Sequence, residues 1–246
     1  MIIRPLEKRQ QRIACAGRAE RTPQVERIVI VNDALTGSPN TIVVSLRNLS
    51  IHGANTGFDG VRFLSGKVLN VENCIITGFN NSASSDGIEV LLTTSVSGNQ
   101  RVLVKNTVIR DNGGSGVRAS NTAAGGAVIV TLENVQVSHC LKGVFASTAS
   151  RWVIKDSSFN LSGGAGIEQA AGALGIDVKG SLMHSNANGI TLAAGTLTIS
   201  DVQFTNNSTA AINKTGGTLV TYGDNLFAGN GAEIVGGVIP PATNKK

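Results

Sequence analysis

The sequence predicts an all-β solenoid of about eight stacked coils, and three observations predict it. A six-residue pattern recurs along the chain at intervals of 21 to 33 residues. A second pattern, Gly followed by an apolar residue, recurs in phase with the first. The composition is that of short strands and tight turns, not of a thick globular core.

The first pattern is apolar, polar, Asn or Asp, two residues, apolar. It reads Leu46-Arg47-Asn48 to Ile51, Val71-Glu72-Asn73 to Ile76, Val104-Lys105-Asn106 to Ile109 and Leu132-Glu133-Asn134 to Val137. It continues as Ile154-Lys155-Asp156 to Phe159, Val178-Lys179-Gly180 to Met183, Ile199-Ser200-Asp201 to Phe204 and Tyr222-Gly223-Asp224 to Phe227. The second pattern is Gly60-Val61, Gly87-Ile88, Gly116-Val117, Gly143-Val144, Gly166-Ile167 and Gly189-Ile190, completed by Ala211-Ile212 and Glu233-Ile234. Alternation of period two around both anchors makes them strands, and each unit is too short to place a helix between strands. Leu46 to Asn55 also looks like a leucine-rich repeat, but later units drop the leucines. The spacings are too long for a left-handed hexapeptide solenoid.

Stacked coils bring equivalent residues within about 4.8 Å of one another. The interior column is then Ile51, Ile76, Ile109, Val137, Phe159, Met183, Phe204 and Phe227. A column three residues further on ends in Asn186, Asn207 and Asn230, which suits a ladder of side-chain amides. The outward column Arg47, Glu72, Lys105, Glu133, Lys155 alternates in sign. A nucleic-acid surface needs one sign, so this face argues against that partner.

Of the 246 residues, 41% are hydrophobic but only 4% aromatic, and 30 are Gly. No apolar run approaches the roughly 20 residues of a transmembrane helix. The net charge of +5 is concentrated at residues 1–27, which carry +4 of it. That segment has no continuous apolar stretch of the kind a signal peptide uses. Ile2, Leu6, Ile13 and Gly17 give a partial helical stripe that Pro23 ends. The expected organisation is therefore a basic extension or cap at 1–27 and a parallel β-helix at 28–246. Cys15, Cys74 and Cys140 form no CxxC pair, and the three histidines, His52, His139 and His184, do not converge.

The segments Leu46-Arg47-Asn48-Leu49-Ser50-Ile51, Asp59-Gly60-Val61-Arg62-Phe63 and Val71-Glu72-Asn73-Cys74 resemble the pectin-lyase-like superfamily of right-handed parallel β-helices. They most resemble bacterial right-handed β-helix repeat proteins of uncharacterised activity. The resemblance spans roughly residues 28–235. It implies extracellular carbohydrate work, so a secreted or cell-surface location is expected. It also implies that a site lies on the long sheet, here the Gly-apolar strand. The candidate ligand face is Asp59, Arg62, Asp86, Glu89, Arg118, Lys142 and Phe145, near the longer connections at residues 80–85, 93–100 and 120–126. Stacked Asp59 and Asp86 offer carboxylates to a hard cation such as Ca²⁺, with Arg62 or Arg118 beside them to neutralise a uronate or act as a lyase base. The adjacent aspartates, Gly-His-Gly and Arg-x-Lys of polygalacturonases do not occur. Phe145, Trp152 and Tyr222 are the aromatics available to a sugar. The expected function is carbohydrate binding or a structural, adhesive rod without a catalytic motif. The alternative is a calcium-dependent polysaccharide lyase acting on acidic glycans.

Overall fold

The computed structural model describes residues 2–3, 29–93, 98–123 and 125–242. Each full coil gives one strand to each of three parallel sheets. Among the described residues sheet A holds ten strands, from Ile2–Ile3 and Val29–Val31 to Ile234–Val235. Sheet B holds eight, from Val43–Arg47 to Thr218–Thr221, and sheet C eight, from Ser50–His52 to Leu226–Ala228. The chain runs B, C, A in every coil: Val68–Glu72, then Ile75–Thr77, then Ile88–Leu92. No helix occurs among the described residues, so none is long and apolar enough to cross a membrane. Of the expected cap at 1–27, all but Ile2–Ile3 lies outside the described residues.

The first anchor turns out to be a corner between two sheets, not the middle of one strand. Its third residue takes a left-handed backbone in seven successive coils, with φ between 49° and 58° at Asn48, Asn73, Asn106, Asn134, Asp156, Gly180 and Asp201. Asn, Asp and Gly are the residues that tolerate this conformation, which explains why they recur there. The bend ends a sheet B strand, and the next apolar residue belongs to sheet C. Period two therefore holds on each side of the corner but not through it. Under the corner, the Ser157 and Ser181 hydroxyls accept from the amides of Val135 and Ser157, at 3.1 and 3.2 Å, and donate to the Lys155 and Lys179 carbonyls.

The second anchor is set by space. A Cβ on Gly87 would lie 2.5 Å from Ile109 Cγ2 and 2.7 Å from the Gly116 carbonyl. Gly60, Gly116, Gly143, Gly166 and Gly189 likewise face the carbonyl of the residue stacked on them. Each passes so close to the sheet C column that no side chain fits.

The interior column runs in direct register from Ile51 to Phe227. Ile76 to Phe204 are fully buried, and only Phe227, in the last coil, is partly open. Its ring stacks on Phe204 at 5.0 Å between centroids. The amide ladder forms as well. Asn186 donates to Asn207 Oδ1 at 3.1 Å and Asn207 to Asn230 Oδ1 at 2.8 Å, and each also donates to a backbone carbonyl, of Phe159 and Met183. The outward charges pair two by two, Arg47–Glu72 at 3.0 Å and Lys105–Glu133 at 2.7 Å, and each exposed pair contributes little.

Gly143→Ala should cost about 2–3 kcal/mol, because the new Cβ meets the Gly166 carbonyl and Phe159 Cδ1. Gly163→Ala, whose nearest neighbour is 3.9 Å away, should stay within about 0.5 kcal/mol of the parent. Urea unfolding of both variants measures the contrast. Equal stability would mean that the glycine column does not set the coil spacing.

Candidate functional site

The outward positions of sheet A line up as the pattern predicted. Arg62, Glu89, Arg118, Phe145, Glu168, Thr191 and Asn213 are direct register partners from coil to coil. Asp59 and Asp86 precede the anchor glycines, where the chain enters this sheet. Asp59 Oδ1 accepts the Asp86 amide at 2.9 Å, and Asp86 Oδ1 accepts the Ser115 amide at 2.5 Å. Each carboxylate thus caps the backbone of the next coil. Gly114 makes room for this, since a Cβ there would lie 2.5 Å from Asp86 Oδ1.

The second oxygens face cations. Arg62 Nε lies 3.2 Å from Asp59 Oδ2 and 2.7 Å from Glu89 Oε2. Arg118 Nη1 is 3.9 Å from Asp86 Oδ2, too long for a hydrogen bond. Asp86 Oδ2 and Arg118 Nε are both buried without a hydrogen-bond partner. Arg118 also lies over the Phe145 ring, 5.4 Å from its centroid, and Lys142 Nζ is 4.1 Å from the same centroid. Lys142 binds Glu168 at 3.0 Å. The structure therefore joins all seven expected residues into one ladder, with Glu168 as an added member.

Burial dominates the electrostatics. The Asp86 side chain is 1% exposed. Desolvation pushes its carboxyl up to about 7, against the lowering effects of the Ser115 amide and Arg118, with Asp59 and Glu89 raising it further. Burial raises Asp59 too. The free thiols of Cys74 and Cys140 are buried, and burial lifts Cys140 to about 11 and Cys74 in the same direction, which leaves both poor nucleophiles.

This arrangement can hold charges in fixed register, but it offers few free ligands. A cation at Asp59 and Asp86 must compete with Arg62 and Arg118 for the same oxygens. Among the described residues no group of three or more His, Cys, Asp or Glu is placed to hold a metal. Trp152, expected to be open to a sugar, is fully buried in sheet B and donates to Ser150 Oγ at 3.1 Å. Its place follows from the inward parity of the strand Ser150–Lys155. Phe58, which the motif reading passed over, is 58% exposed beside Asp59. The signal was its place next to an anchor on the turn side, outside the alternating strand. Of the longer connections, Ser120 and Asn121 belong to the sheet A strand Ser115–Asn121, and residues 94–97 and 124 lie outside the described residues.

A family model described as the right-handed beta helix region matches residues 93–239, more than half of the chain. The chain belongs to the right-handed β-helix family. No curated protein and no solved structure matches it. The right-handed β-helix supports a carbohydrate-active or structural protein as a class, and the residues of sheet A must decide within it.

The buried Asp86 makes stability depend on pH. Its folded pKa of about 7 lies above the ordinary 3.8. Its contribution is therefore complete below pH ~4 and is lost as pH rises from there through about 7, by at most about 4 kcal/mol. Unfolding followed at pH 5 and pH 8 should show the parent less stable at the higher pH. Asp86→Asn should flatten most of that difference. A variant with the parent's full slope would show that another group carries it.

Proposed function

We propose that this β-helix is a non-catalytic protein, secreted or displayed at a cell surface, that binds an extended polysaccharide along the outer face of sheet A. The observation that carries this reading is the commitment of the acidic groups. Asp59 and Asp86 each spend one oxygen on the next coil's amide, and Arg62 sits between Asp59 and Glu89. A calcium-dependent lyase needs carboxylates free for the metal and a base free for the C5 proton. The ladder engages Arg62 with Asp59 and Glu89, and it holds Arg118 loosely between Asp86 at 3.9 Å and the Phe145 ring. What it leaves is a row of positioned side chains, flanked by the open ring of Phe58, along which an elongated chain can lie.

The test is glycan-array screening followed by calorimetry, beside an absorbance assay for unsaturated uronates with and without Ca²⁺. The expected result is binding without product, weakened about tenfold by Phe58→Ala or Phe145→Ala, as for an aromatic contact worth 1–2 kcal/mol. Calcium-dependent formation of unsaturated product would establish the lyase alternative. Absence of any glycan binding to this face would leave the structural rod.

A further inference from the structure

The corner between sheets B and C carries a second concavity, separate from the face of sheet A. It is open to solvent, offers about 380 Å³ and crosses four successive coils. One wall is the left-handed corner column Asn134, Asp156, Gly180 and Asp201. The other is the outward column of sheet C, where Gln136, Ser158, Leu182 and Gln203 are direct register partners.

Gly180 thins one wall of the groove. The neighbouring coils carry Asn or Asp at this position, whereas here the side chain is missing. The carboxylate of Asp156 leans over the gap, since a Cβ on Gly180 would lie 2.5 Å from Asp156 Oδ1. The floor is stiff. Ser157 and Ser181 line it, both buried, with their hydroxyls bonded between coils as described above.

The chemistry of the lining selects a ligand. Among the described residues none that lines it is cationic or aromatic. Two carboxylates and the amides of Asn134, Gln136 and Gln203 offer both donors and acceptors. Among the described residues neither Asp156 nor Asp201 takes part in an ion pair. Uronates and phosphates are repelled by these carboxylates. A single metal ion is poorly served, because Asp156 and Asp201 stand two coils apart, about 10 Å at the strand spacing. Hydroxyl groups of a neutral sugar match acceptors and amides together, and Leu182 supplies an apolar surface for its C–H face.

We infer that the groove over Gly180 binds a neutral oligosaccharide, its sugar units lying along the coil axis between Asn134 and Gln203. This site is independent of the reading of sheet A. The test is calorimetry of the full chain with neutral gluco-, xylo- and manno-hexaoses, with a hexauronate and CaCl₂ alone as parallel arms. Gly180→Asn restores the side chain type of the neighbouring corners and fills the gap. It should weaken binding at least tenfold and lower the melting temperature only slightly, because Asn tolerates the left-handed backbone and the exposed Asp156 side chain can swing aside. Asp156→Ala, on an exposed side chain, should also weaken it, which keeps the test open if the first variant folds poorly. Gly163→Ala, which lines neither surface, should leave it unchanged. The inference is overturned if none of the neutral hexaoses binds, or if Gly180→Asn binds as tightly as the parent. Loss of binding in Phe145→Ala would move the ligand to sheet A. Stabilisation by Ca²⁺ alone that Gly180→Asn removes would make the groove a cation site instead.

Discussion

The structure depends on one close approach, the passage of each coil's anchor glycine over the sheet C column. Where Gly87 faces Ile109, the space that a Cβ would need is already filled by Ile109 and by the Gly116 carbonyl. The core is thin at this point, and backbone and side chain touch across it directly. Bulk at the glycine would separate adjacent coils and break parallel hydrogen bonds in sheet A. The aromatic-poor composition follows from the same limit. Val, Ile and Leu fill a narrow interior at native density, and phenylalanine enters only where the opposite wall is glycine or the coil is near the end.

Once coils stack in register, every side chain sits above its equivalent, and polar residues can satisfy one another inside. The Asn186–Asn207–Asn230 amides, the Ser157–Ser181 hydroxyls and the Asp59–Asp86 carboxylates all do the same work at different corners. Each accepts an amide from the adjacent coil. Turns that would otherwise bury unpaired N–H groups are closed this way. Asp86 shows the cost, because a carboxylate placed so deep holds its proton to about pH 7.

The same register turns the outside into columns, and their chemistry depends on which residues meet. On sheet A the charges alternate and meet, so the column neutralises itself. At the corner of sheets B and C Gly180 interrupts a column of Asn and Asp, and the Asp156 carboxylate leans over the place its side chain would take. Solenoids generate surfaces of this kind by changing one residue in one repeat, without altering the backbone.

The sequence by itself determined the coil number, the register and the identity of the columns. Ile51 to Phe227, Arg62 to Asn213 and the terminal amide ladder all stand where the spacing placed them, because a repeat that stacks must align equivalent positions. It also placed Asp59, Arg62, Asp86, Glu89 and Arg118 together. Tertiary structure alone decided what those columns are worth. Only the bend at Asn48 and its equivalents split one apparent strand between two sheets, since a left-handed φ changes direction without changing the apolar pattern. Only packing showed Trp152 inward and Phe58 outward. Only the depth of Asp86 set its protonation, because desolvation depends on every neighbour in space and on none in sequence in particular.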